Sequence, residues 1–447
     1  MKFGGKVPWF MMMAGWLALG PATAQGNAQP EGGSQPLVFE GARLLPMAGE
    51  EIERGVLVIQ GGKIIAVGAV GEVAVPAGAK RVDVSGRVIM PGVVDTHSHI
   101  GQVDGGDSSA PIQPEVRVLD SLNIRDARIQ KARAGGITTV HVVPGSGHLL
   151  SGQTLYLKLR DGRATEDLLI RLPDGTVAGG IKMANGTNPR RDPPFPGTRA
   201  KAAALVRQEW VRAQEYRRKL EQAKEDPEKA PERDLALEAL VEALEGRRLV
   251  HFHTHQFQDI LTVLRLQKEF GFRLVLHHVS EAWKVAEEIA AARVPCSLIV
   301  LDSPGGKLEA RDVSFRNGKA LEDVGVSVAF HTDDPVTDSR LLIRSAALAV
   351  RAGMSRSKAL AALTLEAAKI LELENLVGSL EPGKDADFVV LSGDPLSVYS
   401  LVLQTWVEGK KVFDREDPQD RLYAEGGYGA GHDQPLSPDP WLAGEVY

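Results

Sequence analysis

The sequence predicts an α/β fold: a (β/α)8 barrel plus a small β-sandwich domain formed from both chain ends. Three observations carry this. Residues 91–373 alternate short apolar runs with helical stretches, the pattern of parallel strands joined by crossover helices, and a stretch of roughly 280 residues suits an eight-fold βα barrel. Residues 36–90 and 374–415 share a different texture: short Val- and Ile-rich strands such as "GVLVIQGGKIIAVG" and "DADFVVLSGDP", separated by Gly-Gly and Ser-Gly turns. Most histidines fall at the carboxyl ends of the middle strands, and that face of a barrel carries the active site.

In chain order, residues 1–24 read as a secretory signal peptide. Lys2 and Lys6 precede an apolar core from Val7 to Leu19, and Ala22-Thr23-Ala24 forms an A-x-A cleavage site. The apolar run is too short to span a bilayer comfortably and contains Gly15. The mature protein is expected to begin near Gln25, exported to the periplasm or secreted, with 25–35 as a flexible leader and no membrane attachment after cleavage. The charge-dense segment 198–247 is expected to be a solvated helical insertion, broken at Pro227 and Pro231. Residues 416–447 form a Gly/Pro-rich tail. The single cysteine, Cys296, excludes an internal disulfide and sits in an apolar run, as a buried small hydrophobe would. Across 447 residues the net charge is −6 and aromatic content is 5%. No basic footprint or stacking surface for nucleic acid is present. The expected partner is a small-molecule substrate, and a homo-oligomer is compatible with this composition.

The histidines define the chemistry. In "GVVDTHSHIG", His97 and His99 are two apart at a strand end, so both imidazoles face one side. In "LVHFHTHQ", His251, His253 and His255 share a face over roughly 13 Å, too far for one ion. His253 is the expected ligand, His255 reaches substrate, and His251 is a core or supporting residue. In "LVLHHVSEA", His277 and His278 point to opposite sides of their strand, so one of them faces inward, and His278 is the choice. In "VAFHTDDPVT", His331 and Asp333 share a face; Asp333 is the expected carboxylate, and Asp334 caps the next turn. Four such clusters at four strand ends predict a metal site. Imidazole with carboxylate suits Zn2+, with Fe, Mn or Ni not excluded.

"MPGVVDTHSHI", "HTDDPVT" and "LEPGKDADFVVLSGDP" resemble the amidohydrolase superfamily, over about residues 36–413. The run "ALAALTLEAAKILELENLVGSLEPGKDADFVVL" is similar to the branch holding imidazolonepropionase and prolidase-like metal-dependent hydrolases. The resemblance implies a TIM-like metal-dependent hydrolase barrel with His97, His99, His253, His278 and Asp333 as metal ligands. It also implies that Lys182, in "GGIKMANGTNP", is a carboxylated lysine bridging two ions. The charges agree: an ammonium beside two divalent ions is repelled by several kcal/mol at about 4 Å, whereas a carbamate is an anion with two oxygens. Two ions are expected, or one if Lys182 does not bridge.

Three departures limit what carries over. "HFHTHQFQD" has no carboxylate until Asp259, where deaminases of this superfamily carry a glutamate. Asp334 stands where close relatives show His, and Thr187 gives "GTN" for "GEN". The expected function is an exported, metal-dependent amidohydrolase cleaving an amide-type C–N bond of a dipeptide, an N-acyl amino acid or a cyclic amide. Asp333 moves the proton, and His141 or His255 stabilises the oxyanion. A nucleobase-type deaminase and a metal-stabilised, non-catalytic binding protein are the alternatives.

Overall fold

In the computed structural model of the protein, the described residues are Met1, 34–101, 107, 109–300 and 307–426. The expected signal peptide after Met1, nearly all of the leader and the tail beyond residue 426 lie outside them. No helix among the described residues is long and apolar enough to cross a membrane.

Both chain ends enter one eight-stranded sheet. Its outer order runs Lys410–Asp414, Val402–Val407, Phe388–Leu391, Val88–Pro91, Leu37–Leu44, Ile52–Gln60, Lys63–Ala69, with Lys80–Asp83 parallel to Leu37–Leu44. The two ends meet where Phe388–Leu391 pairs antiparallel with Val88–Pro91, Phe388 opposite Pro91. That ladder is continuous, so the strands expected as a sandwich share one hydrogen-bonded sheet. Period-2 alternation fills both of its faces. Phe39, Leu57 and Phe388 pack in one apolar cluster, and Val38, Val56 and Val58 in another. The Phe39 ring meets Phe388 edge-on at 5.0 Å, and Phe388 stacks on Trp406 at 5.5 Å.

The middle of the chain forms two further sheets. Gly180–Ala184, Leu249–Thr254, Leu274–His278, Cys296–Leu298 and Val328–Phe330 run parallel in that order, with Leu150–Gln153 antiparallel at one edge. Val93–Ser98 runs parallel to Ile137–Val142, which pairs antiparallel with Leu155–Lys158. The described ladders do not close into one ring, but backbone bonds cross both gaps. Tyr156 N donates to Ala178 O (3.0 Å) on one side, and Asp333 N donates to His97 O (2.9 Å) on the other. Every residue of the central parallel strands is buried, as expected of strands covered on both faces.

The charged segment is a helix pair, Arg199–Glu225 and Leu235–Leu244, with a 3-10 turn at Pro227–Lys229 between them. Thr198 caps the first helix and Asp234 the second. One stripe of the long helix is buried: Ala202, Val206, Trp210, Ala213 and Tyr216, spaced three or four apart, with Glu209 beside them. Trp210 stacks on Phe272 at 4.8 Å.

A buried ion cluster ties the central region to the composite sheet. Lys158 Nζ, 1% exposed, lies 2.7 Å from Asp385 and 2.7 Å from Asp387. Lys63 Nζ reaches the other oxygen of Asp385 at 2.6 Å. Burial opposes charge on Lys158, yet Asp387 and Asp385 outweigh it and hold its ammonium above the usual lysine range.

Candidate metal centre

Asp333 gathers the first histidines. Its Oδ1 lies 3.0 Å from His99 Nε2 and 3.3 Å from His97 Nε2, and its Oδ2 lies 3.9 Å from His278 Nδ1. Lys182 Nζ is 3.2 Å from His97 Nε2 and 3.4 Å from Pro144 O. His253, His255 and His278 form an adjoining group with ligand atoms within 4.8 Å of one another. His253 and His278 ring centroids are 4.3 Å apart. The parallel register explains the gathering: Lys182 sits opposite His251, Ala184 opposite His253, and Thr254 opposite His278. His97, His99, Lys182, His253, His255, His278 and Asp333 are therefore brought together.

The backbone is strained at this face. His278 (φ 67°), Val279 (φ 39°) and Asp333 (φ 51°) all occupy the left-handed region, costly for residues with a Cβ. This changes one expectation. His277 and His278 were expected on opposite sides of their strand, but both rings contact His97 (centroids 4.9 and 4.7 Å). The left-handed φ of His278 takes it off the extended path that alternation assumes.

Beneath lies a second layer. His277 Nδ1 is 3.2 Å from His97 Nδ1, its Nε2 is 2.9 Å from His251 Nδ1, and His251 Nε2 is 2.8 Å from the Tyr156 hydroxyl. His141 belongs to this layer, which corrects its expected oxyanion role. It is fully buried, with Nδ1 on Thr96 O (2.8 Å) and Nε2 on the Thr154 hydroxyl (2.7 Å). Neither nitrogen is left to face a substrate. His255 is different: Nδ1 pairs with Ser280 Oγ at 2.8 Å, and among the described residues Nε2 has no partner. Tyr156 and Thr154 sit in no histidine motif, so the sequence offered no signal for them.

Burial sets the charge state. It lowers the pKa of His97, His253 and His278 well below the ordinary imidazole value; neighbouring rings add to the effect at all three, and Lys182 at His97 and His253. His141, His255 and His331 are pushed down to about 3, chiefly by burial. Burial alone would raise Asp333, but His278 and His99 outweigh it and hold its carboxyl well below the usual range. Burial thus favours the neutral form of His97, His253 and His278 beside an ionised Asp333. Asp95 braces it from behind, accepting from Thr332 Oγ1 (2.5 Å) and Thr332 N (3.1 Å). Asp334 accepts from Ser339 N and Oγ, orienting the turn after it.

At this site His253 Nδ1 and His278 Nε2 are buried without a hydrogen-bond partner among the described residues. A buried polar atom left so costs about 1–3 kcal/mol, and each nitrogen is a lone-pair donor suited to a divalent cation. The donor set fits a metal.

The loop after Lys182 closes over the site. Asn188 Nδ2 is 3.3 Å from His253 Nε2, and Thr187 N donates to Glu309 Oε2 at 2.8 Å. Asp259, the first carboxylate after His253, is held by Arg199 Nε at 2.9 and 3.0 Å.

Residues 88–414 match the family described as Amidohydrolase family. Among curated relatives, Amidohydrolase tasK of Hapsidospora irregularis is 30% identical over 372 residues, covering 76% of this chain but 38% of that protein. The chain thus spans well under half of that relative's length. A 5-methylthioadenosine/S-adenosylhomocysteine deaminase of Symbiobacterium thermophilum is 25% identical over 424 residues (85% of this chain, 93% of that one). The Imidazolonepropionase of Erwinia tasmaniensis is 26% identical over 380 residues (76% and 86%). The solved structure of an amidohydrolase from Thermotoga maritima superposes with TM-score 0.78 at 33% identity, covering 85% of this chain and all of that one. A prolidase complexed with N-methylphosphonate-L-proline shares the fold at TM-score 0.55 and 18% identity (85% and 99%). The family match takes in the His97–His99 pair, Lys182, His253, His278 and Asp333 alike. The chain belongs to the amidohydrolase family, a family of metal-dependent hydrolases of carbon–nitrogen bonds.

Proposed function

We propose that the protein is an exported amidohydrolase that opens an amide-type bond in a dipeptide, an N-acyl amino acid or a cyclic amide. The observation carrying this reading is the convergence of His97, His99 and His278 on the Asp333 carboxylate, with Lys182 Nζ 3.2 Å from His97. Export is part of the proposal and rests on the sequence of residues 1–24. So is the division into a closed eight-fold barrel over 91–373 and a composite domain from 36–90 and 374–415; the backbone bonds across both gaps support closure.

His97, His99, His253, His278 and Asp333 would hold zinc, with Lys182 as a carbamate bridging a second ion. When bound, divalent metal lowers the pKa of water and polarises a scissile carbonyl. Asp333, ionised and open on one side, takes the proton of the attacking water and returns it to the leaving nitrogen. His255, through its unengaged Nε2, donates to the developing oxyanion. The loop 185–195 excludes water from above.

Deamination of a nucleobase-like substrate is the second reading, favoured by the deaminase among the relatives. The carboxylate such chemistry would draw on after His253 is Asp259, and Arg199 occupies both its oxygens. A library of dipeptides, N-acyl amino acids, cyclic amides and aminopurines, offered to the zinc-loaded protein, separates the readings. Amide hydrolysis is expected; ammonia release from aminopurines alone overturns it, and no turnover with metal bound supports the binding-protein alternative.

Two further outcomes are expected. Metal analysis of the purified protein finds close to two ions per chain; one ion removes the bridging role of Lys182. Asp333→Asn lowers kcat by about 10²–10⁴ while retaining more of its metal than of its rate, measured by comparing metal content with turnover.

A further inference from the structure

Behind His278 runs a hydrogen-bond chain with a fixed direction. His278 Nδ1 is 3.1 Å from His331 Nε2, and His331 Nδ1 is 2.7 Å from Ser297 Oγ. Ser297 Oγ is 2.6 Å from Thr96 Oγ1, and Thr96 Oγ1 donates to the carbonyl of Phe330 at 3.2 Å. All four side chains are 0–1% exposed, so water cannot reset the pattern. A carbonyl oxygen only accepts. With the Thr96 proton on the Phe330 carbonyl, the Ser297 proton points at Thr96 and the His331 Nδ1 proton at Ser297. A neutral His331 then has a lone pair at Nε2, which accepts the Nδ1 proton of His278. The chain ends with His278 Nε2 bare, a buried ring nitrogen without a hydrogen-bond partner among the described residues.

The reverse direction has a specific defect. If Thr96 donated to Ser297, each proton would shift one link, and His278 would carry its proton on Nε2. That N–H would be buried with no acceptor, at about 1–3 kcal/mol.

We infer that Thr96, Ser297 and His331 are positioning residues that preset the tautomer of His278, holding its Nε2 lone pair ready for a metal ion before the ion arrives. The inference rests on His278 being a ligand, as in the proposed function. It explains why two small hydroxyl side chains from distant strands meet within the barrel core: they give a histidine pair its polarity. His331 then acts through His278, and its two nitrogens are committed to the chain.

The decisive measurement is the tautomer itself. Nitrogen-15 NMR of the histidine-labelled, chelator-treated full-length chain should show His278 protonated at Nδ1 and unprotonated at Nε2. Protonation at Nε2 overturns the inference, whatever the enzyme's substrate. The second arm measures Zn2+ affinity by chelator competition. Thr96→Val removes the link to the carbonyl, frees the Ser297 hydroxyl to turn toward His331, and should weaken Zn2+ binding by about 10–100-fold. Thr96→Ser keeps the hydroxyl and should restore it. Equal affinity in Thr96→Val and Thr96→Ser, both folded, also overturns the inference. If Thr96→Val does not fold, the wild-type tautomer decides alone. A wild-type chain with the expected tautomer that binds no Zn2+ would instead sink the metal reading of His278, leaving the hydrogen-bond chain intact.

Discussion

Lys182→Met is expected to leave a folded protein that has lost both its bridged metal pair and its turnover. Lys182 is among the largest fully buried side chains, at 0% exposure. Methionine conserves most of its volume, so packing around the strand Gly180–Ala184 is retained. The Nζ position 3.2 Å from His97 Nε2 is lost. Removing a residue that merely supports a ligand costs 10–100-fold in metal affinity or activity; removing a bridging ligand should exceed about 100-fold in both. Thermal denaturation of metal-free variant and wild type should be similar, while metal content and kcat/KM fall together. Retention of both metal ions and rate in Lys182→Met would refute the assignment. Activity regained on growing wild-type cells in high CO2, and none in the variant, would point to the carbamate specifically.

The second large effect is on stability, at the buried ion cluster. Lys158→Met should destabilise the fold by about 3–5 kcal/mol, the cost of breaking a buried ion cluster by removing one partner. Asp387 would be left in the interior without a cation, while Lys63 still serves the outer oxygen of Asp385. Glu408 N donates to Asp387 Oδ1 at 2.8 Å, which offsets part of the loss but brings no charge. Combining Lys158→Met with Asp387→Leu should recover most of the stability, because replacing the pair by apolar groups avoids the stranded charge. Urea unfolding midpoints of the wild type, single and double variants test this. A single variant within about 0.5 kcal/mol of wild type, the range of ordinary surface changes, would show that the cluster contributes little.

The cluster also shows what a motif can say before a structure exists. "KDADFVVL" marked the chain as superfamily-like, but the role of its two aspartates was not legible. Their partner, Lys158, lies 227 and 229 positions away. The candidate metal-binding histidines were easier to read because each announced itself locally: a histidine at the end of an apolar run, with a second one or two residues off. Alternation placed His97 and His99 on one side, where both meet Asp333 Oδ1, although the pairing of their strand is irregular between Asp95 and Ser98. They failed at His277 and His278, where a left-handed residue ends the strand. His141 was misread for a related reason. It ends its run much as the others do, yet Thr96 O and the Thr154 hydroxyl consume both its nitrogens. Nothing local to "GITTVHVVP" indicates those partners. The two-ended sheet was legible in texture, but its single ladder depends on Phe388–Leu391 pairing with Val88–Pro91 across almost 300 positions.

The left-handed residues at the strand ends carry a practical consequence. His278, Val279 and Asp333 are the places where a stabilising design would first look, since relieving a strained backbone usually raises a melting temperature. A glycine there would relax the chain, but at His278 and Asp333 it would also delete donors of the proposed metal site. At Val279 it would loosen the corner that aims His278. A thermostable version of this enzyme therefore has to gain its stability elsewhere, at caps, loops and the composite sheet, and leave these three positions as they are.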